Sequence, residues 1–149
     1  MKNLNKKQLL SAIQEAHKAK LTLLKNINKI KKIIYIFKDC IESGGKIFFC
    51  GNGGSAADAQ HLTAELLIRL RPSIKRKPYP AICLSLDSST MTACGNDYSF
   101  NEIFSRPFEA LANKNDILVA ISTSGNSKNI IKVLKTAKKK KIKAISFLG

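Results

Sequence analysis

The sequence lacks any long apolar run. No uninterrupted apolar stretch reaches the ~18 residues that indicate a membrane-spanning helix, and we expect no membrane partner. The basic N-terminus has no long apolar segment and no small-residue cleavage site, which argues against a signal peptide. With 149 residues, 44% apolar and 24% charged, the sequence predicts a single globular domain with its own core.

Closely spaced cysteine pairs are also absent. The four cysteines, at positions 40, 50, 83 and 94, lack the C-x-x-C spacing of metal knuckles and thioredoxin-like motifs. Cys50 and Cys83 lie in apolar, strand-like runs. We therefore expect reduced, buried thiols, as in a cytoplasmic protein.

Acidic residues are few: 10 stand against 26 basic residues, which gives a formal net charge of +16. Such a charge can indicate nucleic-acid binding. Here the basic residues are mostly lysines that alternate with Ile and Asn in two helical stretches and in residues 69–77, with no interleaved aromatics to stack on bases. The pattern favours solvated helix faces, and we expect no nucleic-acid partner.

Apolar periodicity divides the chain into an N-terminal helical segment (1–45) and an α/β core (46–149). Helical spacing between residues 4 and 43 predicts one long helix or two in succession, ended by Gly44-Gly45. Continuous apolar strands then alternate with helices, which indicates a parallel sheet covered on both faces, with ligands at the carboxyl ends of the strands. The predicted strands are 47–50, 81–86, 117–121 and 142–148, and the predicted helices are 54–68, 88–94, 101–112 and 126–139.

The first loop with anion chemistry is Gly51-Asn52-Gly53-Gly54-Ser55, between a strand and a helix. Its glycines permit positive φ and close approach of a ligand, and the helix N-terminus that follows favours an anion. GNGGSA also fits the G-x-G-x-x-A dinucleotide fingerprint, but the acidic residue expected about 20 positions later is missing, since Asp87 lies 31 residues after Ala56. We expect no nucleotide cofactor.

The second loop, Ile121-Ser122-Thr123-Ser124-Gly125-Asn126-Ser127, also joins an apolar strand to a helix. It lacks the Gly-Lys-Ser/Thr of a Walker loop. A helix N-cap needs one hydroxyl, whereas this loop offers four around one glycine, which favours phosphate binding. No metal-holding acid accompanies the loop, so a sugar phosphate is a simpler ligand than a nucleotide.

Two further groups of polar residues are candidates. His61 and Glu65 are four residues apart and share one face of an otherwise apolar helix, where Glu65 could act as a base. A surface glutamate and a satisfied histidine would explain that pair equally well. Asn96 and Asp97 could bind sugar hydroxyls or form an Asx turn, and the sequence leaves both interpretations open.

Three motifs in order carry a family resemblance: CGNGGSAADAQHLTAEL, ACGNDYSFNEIFSRPFEAL and ISTSGNSKNIIKVLKTAKKKKIKAISFLG. They resemble the phosphoheptose isomerase family of the sugar isomerase (SIS) domain superfamily over essentially the whole chain. The resemblance implies one SIS-type three-layer α/β sandwich, a cytoplasmic homotetramer with active sites at subunit interfaces, and conversion of sedoheptulose 7-phosphate to D-glycero-D-manno-heptose 7-phosphate through an enediolate. The heptose would serve lipopolysaccharide or capsule synthesis.

The resemblance also implies residue roles. Glu65 would transfer the proton, and His61 with Glu65 would ligate zinc in those members that bind it. The implied substrate contacts are Asn52, Gly53, Gly54, Ser55, Asn96, Asp97, Ser122, Thr123, Ser124 and Ser127.

Two departures from the family pattern matter. The family continues with a strand and a final helix that bring a Gln and a His as second acid/base partner and remaining metal ligands. We therefore expect residues 1–149 to be either a C-terminally truncated part of a longer protein or a short chain that binds a sugar phosphate without turning it over. The Pro-rich, basic link 71–80 is expected to alter an exposed connection rather than the site. The alternative is a non-catalytic SIS-domain protein that binds a sugar phosphate or the replication initiator; a sugar-phosphate-sensing module ranks last.

Overall fold

The structure, a computed structural model, describes residues 5–149. The chain forms two compact units, one ending at Ile36 and one running from Phe37 to Gly149. The N-terminal segment is two helices, α1 (Lys6–Lys25) and α2 (Ile27–Glu42). Residue 4, where the predicted helix begins, lies outside the described residues. No helix among residues 5–149 is long and apolar enough to cross a membrane.

The second unit contains a four-stranded parallel sheet in the order β2-β1-β3-β4. This arrangement confirms the predicted α/β class. The elements are β1 (Ile47–Gly51), α3 (Gly54–Leu67), β2 (Ala81–Cys83), α4 (Ser88–Asp97), α5 (Ser105–Leu111), β3 (Ile117–Ser122), α6 (Lys128–Lys139) and β4 (Lys143–Leu148).

The two central strands are buried on both faces, as their unbroken apolar sequences predict. Because side chains alternate along a strand, Phe48 and Leu118 face α4, α5 and α6 in one continuous core. Phe48 packs edge-on against Phe108 of α5, with ring centroids 5.2 Å apart. Phe49 faces the opposite side, which α3 covers. The two anion loops predicted from the sequence follow these two buried central strands, β1 and β3.

Three predicted elements differ from the observed ones by more than two residues at one end. Helix α4 runs to Asp97 rather than residue 94. Strand β2 ends at Cys83 rather than residue 86. Its pairing with β1 stops at Phe49↔Cys83, two residues before β1 ends, and the Ser85 hydroxyl then donates to the Gly51 carbonyl in place of a backbone pair. The predicted helix 101–112 is a 3₁₀ turn (Phe100–Glu102) followed by α5. Pro107 explains the late start, because proline is tolerated in the first turn of a helix but not in its interior.

All four cysteines are free and buried, as predicted. Burial raises the pKa of the Cys50 thiol to about 12, so this thiol stays protonated at neutral pH. Burial likewise raises the pKa of the Cys40 and Cys83 thiols, which lowers their reactivity as nucleophiles.

Asp116 links the amino ends of the two central strands, β1 and β3, opposite the carboxyl ends that carry the two anion loops. Its carboxylate accepts from the Lys46 amine at 2.7 Å, from the Lys46 backbone N–H at 2.8 Å and from the Asn113 N–H at 2.7 Å. The Asp116 side chain is 2% exposed. The Asp116 carboxylate is therefore the hydrogen-bond acceptor for three donors, and its removal would leave all three without this acceptor.

We expect Asp116→Ala to lower the free energy of unfolding by about 3 kcal/mol, because removing one member of a buried ion pair leaves its partners unsatisfied. Sugar-phosphate affinity should not change, since Asp116 lies at the amino ends of the strands and the anion loops lie at their carboxyl ends. Urea unfolding measures the loss, with the exposed Asp39→Ala as matched control. A loss below about 1 kcal/mol would show that the carboxylate is dispensable.

Candidate active site

The two anion loops lie side by side because β1 and β3 are neighbours, with Gly51 in register with Ile121. Gly51 allows the chain to fold back closely, since a Cβ there would meet the Ser55 carbonyl oxygen at 2.4 Å. Gly53, at the N-cap of α3, has φ +54°, which favours glycine. Gly54 then begins α3. The carboxyl ends of the strands thus carry both loops, as the sequence predicts.

The serine loop is folded by its own hydroxyls. Ser122, 5% exposed, accepts from the Gly125 N–H at 3.2 Å, and its Oγ is 3.4 Å from that of Ser127. Ser124 accepts from the Asn126 N–H at 3.2 Å. Ser127 is the N-cap of α6, yet its side chain makes no capping hydrogen bond. The Ser127 hydroxyl therefore does not cap α6.

A small cavity lies between the two loops. Its volume is about 70 Å³, roughly twice the ~30 Å³ share of one water molecule. Side chains from both loops converge there, next to the N-terminus of α3, which suits a phosphate-sized anion. The lining residues are Asn52, Ser55, Ile121, Ser122, Thr123 and Ser127.

Asn129, which sequence reasoning missed, links the first loop to the first turn of α6, directly after the serine loop. Its side-chain amide donates to Asn52 Oδ1 at 2.8 Å and accepts from Asn52 Nδ2 at 2.9 Å, and the residue is 2% exposed. This reciprocal amide pair fixes Asn52 at the rim of the cavity. No local pattern in the sequence distinguishes Asn129 from the other asparagines, so only the fold reveals the pair.

Asn96 and Asp97 lie away from the cavity between the loops. They end α4, are exposed, and bond to each other, with Asn96 Nδ2 donating to Asp97 Oδ1 at 2.8 Å. They are therefore helical rather than part of an Asx turn. Asp87, weighed as a ribose ligand, caps the same helix by accepting from the Ser89 and Thr90 N–H groups, and the hydrogen bonds from Thr90 lower its pKa.

His61 and Glu65 lie together on α3, with His61 Nε2 3.5 Å from Glu65 Oε1. The other oxygen, Glu65 Oε2, is buried and, among the described residues, has no hydrogen-bond partner. Glu65 lines a second, larger cavity of about 410 Å³. The cavity is mainly apolar; besides Glu65 it is lined by Phe37, Phe49, Leu62, Leu66, Leu70, Arg76, Tyr79 and Phe147.

The described chain does not bring Glu65 into the cavity of the serine loop. Ser55 and Glu65 are ten residues apart on α3, about 15 Å along the helix axis, and line different cavities. For a metal, His61 and Glu65 offer two adjacent donors, whereas a catalytic zinc site takes three from protein. Within residues 5–149 no group of three His, Cys, Asp or Glu side chains is placed to complete one.

Comparison with known proteins identifies the class. Residues 8–149 match the family model of the SIS domain. The chain therefore belongs to the SIS domain family.

Within that family, the chain is similar to phosphoheptose isomerases from several bacteria. It is 53% identical to one from Chlorobaculum parvum over 111 residues, 74% of this chain and 53% of the relative. It is 46% identical to one from Helicobacter pylori over 147 residues, 99% of this chain and 74% of the relative. The phosphoheptose isomerase structure from Neisseria gonorrhoeae superimposes with a TM-score of 0.87 at 37% identity, over 96% of this chain and 74% of that one. The chain thus spans little more than half the length of the first relative.

Proposed function

We propose that the protein is an isomerase that converts sedoheptulose 7-phosphate to D-glycero-D-manno-heptose 7-phosphate for bacterial heptose synthesis. The observation that carries the proposal is Glu65: a carboxylate with one buried oxygen that finds no partner among the described residues, facing a cavity. Buried polar atoms are nearly always hydrogen-bonded in proteins, so an exception is a candidate for chemistry. The phosphoheptose isomerases to which the chain is similar supply the reaction.

The serine loop is proposed to hold the phosphate. Ser122, Thr123 and Ser127 line the small cavity with Asn52 and Ser55, next to the N-terminus of α3. Hydroxyl and backbone N–H donors at a helix N-terminus stabilise a phosphate without a lysine. Ser124 shares the loop, and Gly53 and Gly54 permit close approach of the ligand. Asn96 and Asp97 are proposed to reach the sugar once the complete site is assembled.

Glu65 is proposed to move the proton between the two carbons. Its carboxylate removes a proton from C1 of the ketose; the C1–H electron pair becomes the C1=C2 bond, and the C2=O π pair moves onto the C2 oxygen, which gives the enediolate. The proton of the C1 hydroxyl then passes to the C2 oxygen, and return of the carbon-bound proton from Glu65 to C2 gives the aldose. One carboxylate serving both carbons is general acid–base catalysis at a held substrate.

Assembly of several copies is part of the proposal. Glu65 and the serine loop line different cavities in one chain, so a site that uses both would form where copies meet. Helix α1 exposes large apolar side chains, among them Ile13 at 65% and Leu24 at 69%, which supports burial in an assembly. We propose that the protein is a cytoplasmic homotetramer, and light scattering would measure its mass. Its product would be used in lipopolysaccharide or capsule synthesis.

Zinc is a further proposal. His61 and Glu65 would be two of its ligands, and the described residues alone do not complete a site. When bound, zinc would polarise the sugar oxygens. Any further ligand would come from a second copy or from chain beyond residue 149, and we assign the ion no step.

A non-catalytic protein that binds sugar phosphate or the replication initiator is the second candidate. Such a protein needs no buried carboxylate beside a cavity, whereas this chain has Glu65 there. The relatives reported above are isomerases by name. Both points favour the enzyme.

The test is turnover of the purified protein with sedoheptulose 7-phosphate, followed by NMR of the sugar. We expect the aldose 7-phosphate to appear, and unphosphorylated sedoheptulose to react far more slowly because the serine loop would have no phosphate to hold. Binding of sedoheptulose 7-phosphate without any aldose would contradict the isomerase and favour the second candidate.

A further inference from the structure

The link between α3 and β2 folds back onto the end of α3 through Arg76. The guanidinium donates Nη2–H to the carbonyl oxygen of Glu65 at 2.5 Å and Nη1–H to that of Leu66 at 2.9 Å. Nη1 also lies 3.0 Å from the Lys77 carbonyl oxygen. This side chain therefore reaches the backbone of the glutamate around which the proposed chemistry is built.

Helix physics explains why the contact is stable. The last four carbonyls of a helix have no partner within it, and α3 ends at Leu67, so the Glu65 and Leu66 carbonyls are among them. A cation is favoured at this negative end of the helix. The planar guanidinium can serve two carbonyls at once, which an ammonium cannot do with the same geometry.

Tyr79 holds Arg76 from the other side. The guanidinium carbon lies 4.4 Å from the centroid of the Tyr79 ring, and the Tyr79 N–H donates to the Leu66 carbonyl at 3.0 Å. Arg76 is thus clamped between an aromatic face and the helix end. Both residues line the cavity that Glu65 faces, so the expectation that residues 71–80 alter only an exposed connection is wrong for these two.

We propose that Arg76 is a positioning residue for Glu65. Glu65 lies in the last turn of α3, and the last turns of helices open readily. If this turn opened, the position of the Glu65 carboxylate would vary. By fixing the Glu65 carbonyl, Arg76 holds the Cα from which the carboxylate projects. The proposal rests on the role assigned to Glu65 in the proposed function; Arg76 itself touches no reacting atom.

The test compares Arg76→Met, which keeps the stem and removes the donors, with Arg76→Lys, which restores one donor. Arg71→Met is the matched control, an exposed arginine of the same link. For Arg76→Met we expect kcat to fall about 10- to 100-fold with KM within twofold, because a displacement of about 1 Å costs up to 10²-fold in rate. Arg76→Lys should recover part of kcat, and Arg71→Met should match wild type.

Hydrogen exchange of the amides at residues 66–68 is the second readout, and it needs no turnover. Arg76→Met should accelerate exchange there, and Arg71→Met should not. Unchanged exchange would overturn the inference whether or not the protein is active.

The failures of the two proposals can be told apart. A wild-type protein without turnover contradicts the proposed function, and exchange alone then decides whether Arg76 holds the turn of Glu65. If wild type turns over and Arg76→Met keeps its kcat, or changes only KM, the positioning role is overturned while the isomerase stands.

Discussion

Glu65→Gln should reduce kcat for sedoheptulose 7-phosphate by roughly 10²–10⁴-fold, the usual contribution of a general base. Glutamine has nearly the same shape and hydrogen-bonds well, but it cannot accept the C1 proton. Glu65 faces the 410 Å³ cavity, with its Oε2 buried and, among the described residues, unpartnered. The substitution therefore tests the base without removing packing volume.

Binding should survive the same substitution. The proposed phosphate contacts line another cavity, so the dissociation constant for sedoheptulose 7-phosphate should stay within about threefold of wild type, which calorimetry measures. Glu109→Gln, an exposed glutamate on α5, is the matched control and should leave both quantities unchanged. Undiminished turnover in Glu65→Gln would remove the role proposed for this residue.

Ser127→Ala should weaken binding of the sugar phosphate about 10- to 100-fold, because a hydrogen bond to a charged group is worth roughly 1.5–3 kcal/mol. Stability should change little, since the Ser127 side chain makes no capping bond and its nearest hydroxyl, Ser122 Oγ, is 3.4 Å away. Calorimetry measures the affinity, and thermal unfolding measures the stability.

The two readouts separate phosphate binding from helix capping. If Ser127 serves only as the N-cap of α6, Ser127→Ala would lower stability and leave affinity unchanged. Ser43→Ala, an exposed serine just after α2, is the matched control and should alter neither quantity. Loss of stability with intact affinity would contradict the proposed phosphate site.

The strands were predictable because parallel strands buried on both faces have unbroken apolar sequences. Residues 47–50 and 117–121 were assigned correctly to within one residue. The excess in β2 arose because residues 84–86 are also partly apolar, whereas Ser85 bonds to β1 through its side chain rather than its backbone. The start of α5 is determined by Pro107, whereas the apolar pattern alone predicted a start at residue 101.

The placement of the two loops was predictable because it depends on local sequence. The glycine and serine loops are short, contiguous and anchored to strand ends, so their sequences indicate an anion site. Asn129 and Arg76 were missed as contributors because each acts through a contact formed by the fold: Asn129 with a residue 77 positions away, Arg76 with one 11 positions away. The sequence likewise could not show that Glu65 and the serine loop line different cavities, because that depends on the fold.

Deuterium incorporation during the reaction tests the central claim most directly. The protein is incubated with sedoheptulose 7-phosphate in D₂O, and NMR follows deuterium at C1 of the ketose and C2 of the aldose. Proton transfer by Glu65 through an enediolate predicts partial deuterium at C2 of the product, because the proton held by Glu65 exchanges with solvent in a fraction of turnovers, and it predicts that this incorporation is lost in Glu65→Gln. Incorporation of deuterium that continues undiminished in Glu65→Gln would contradict the account.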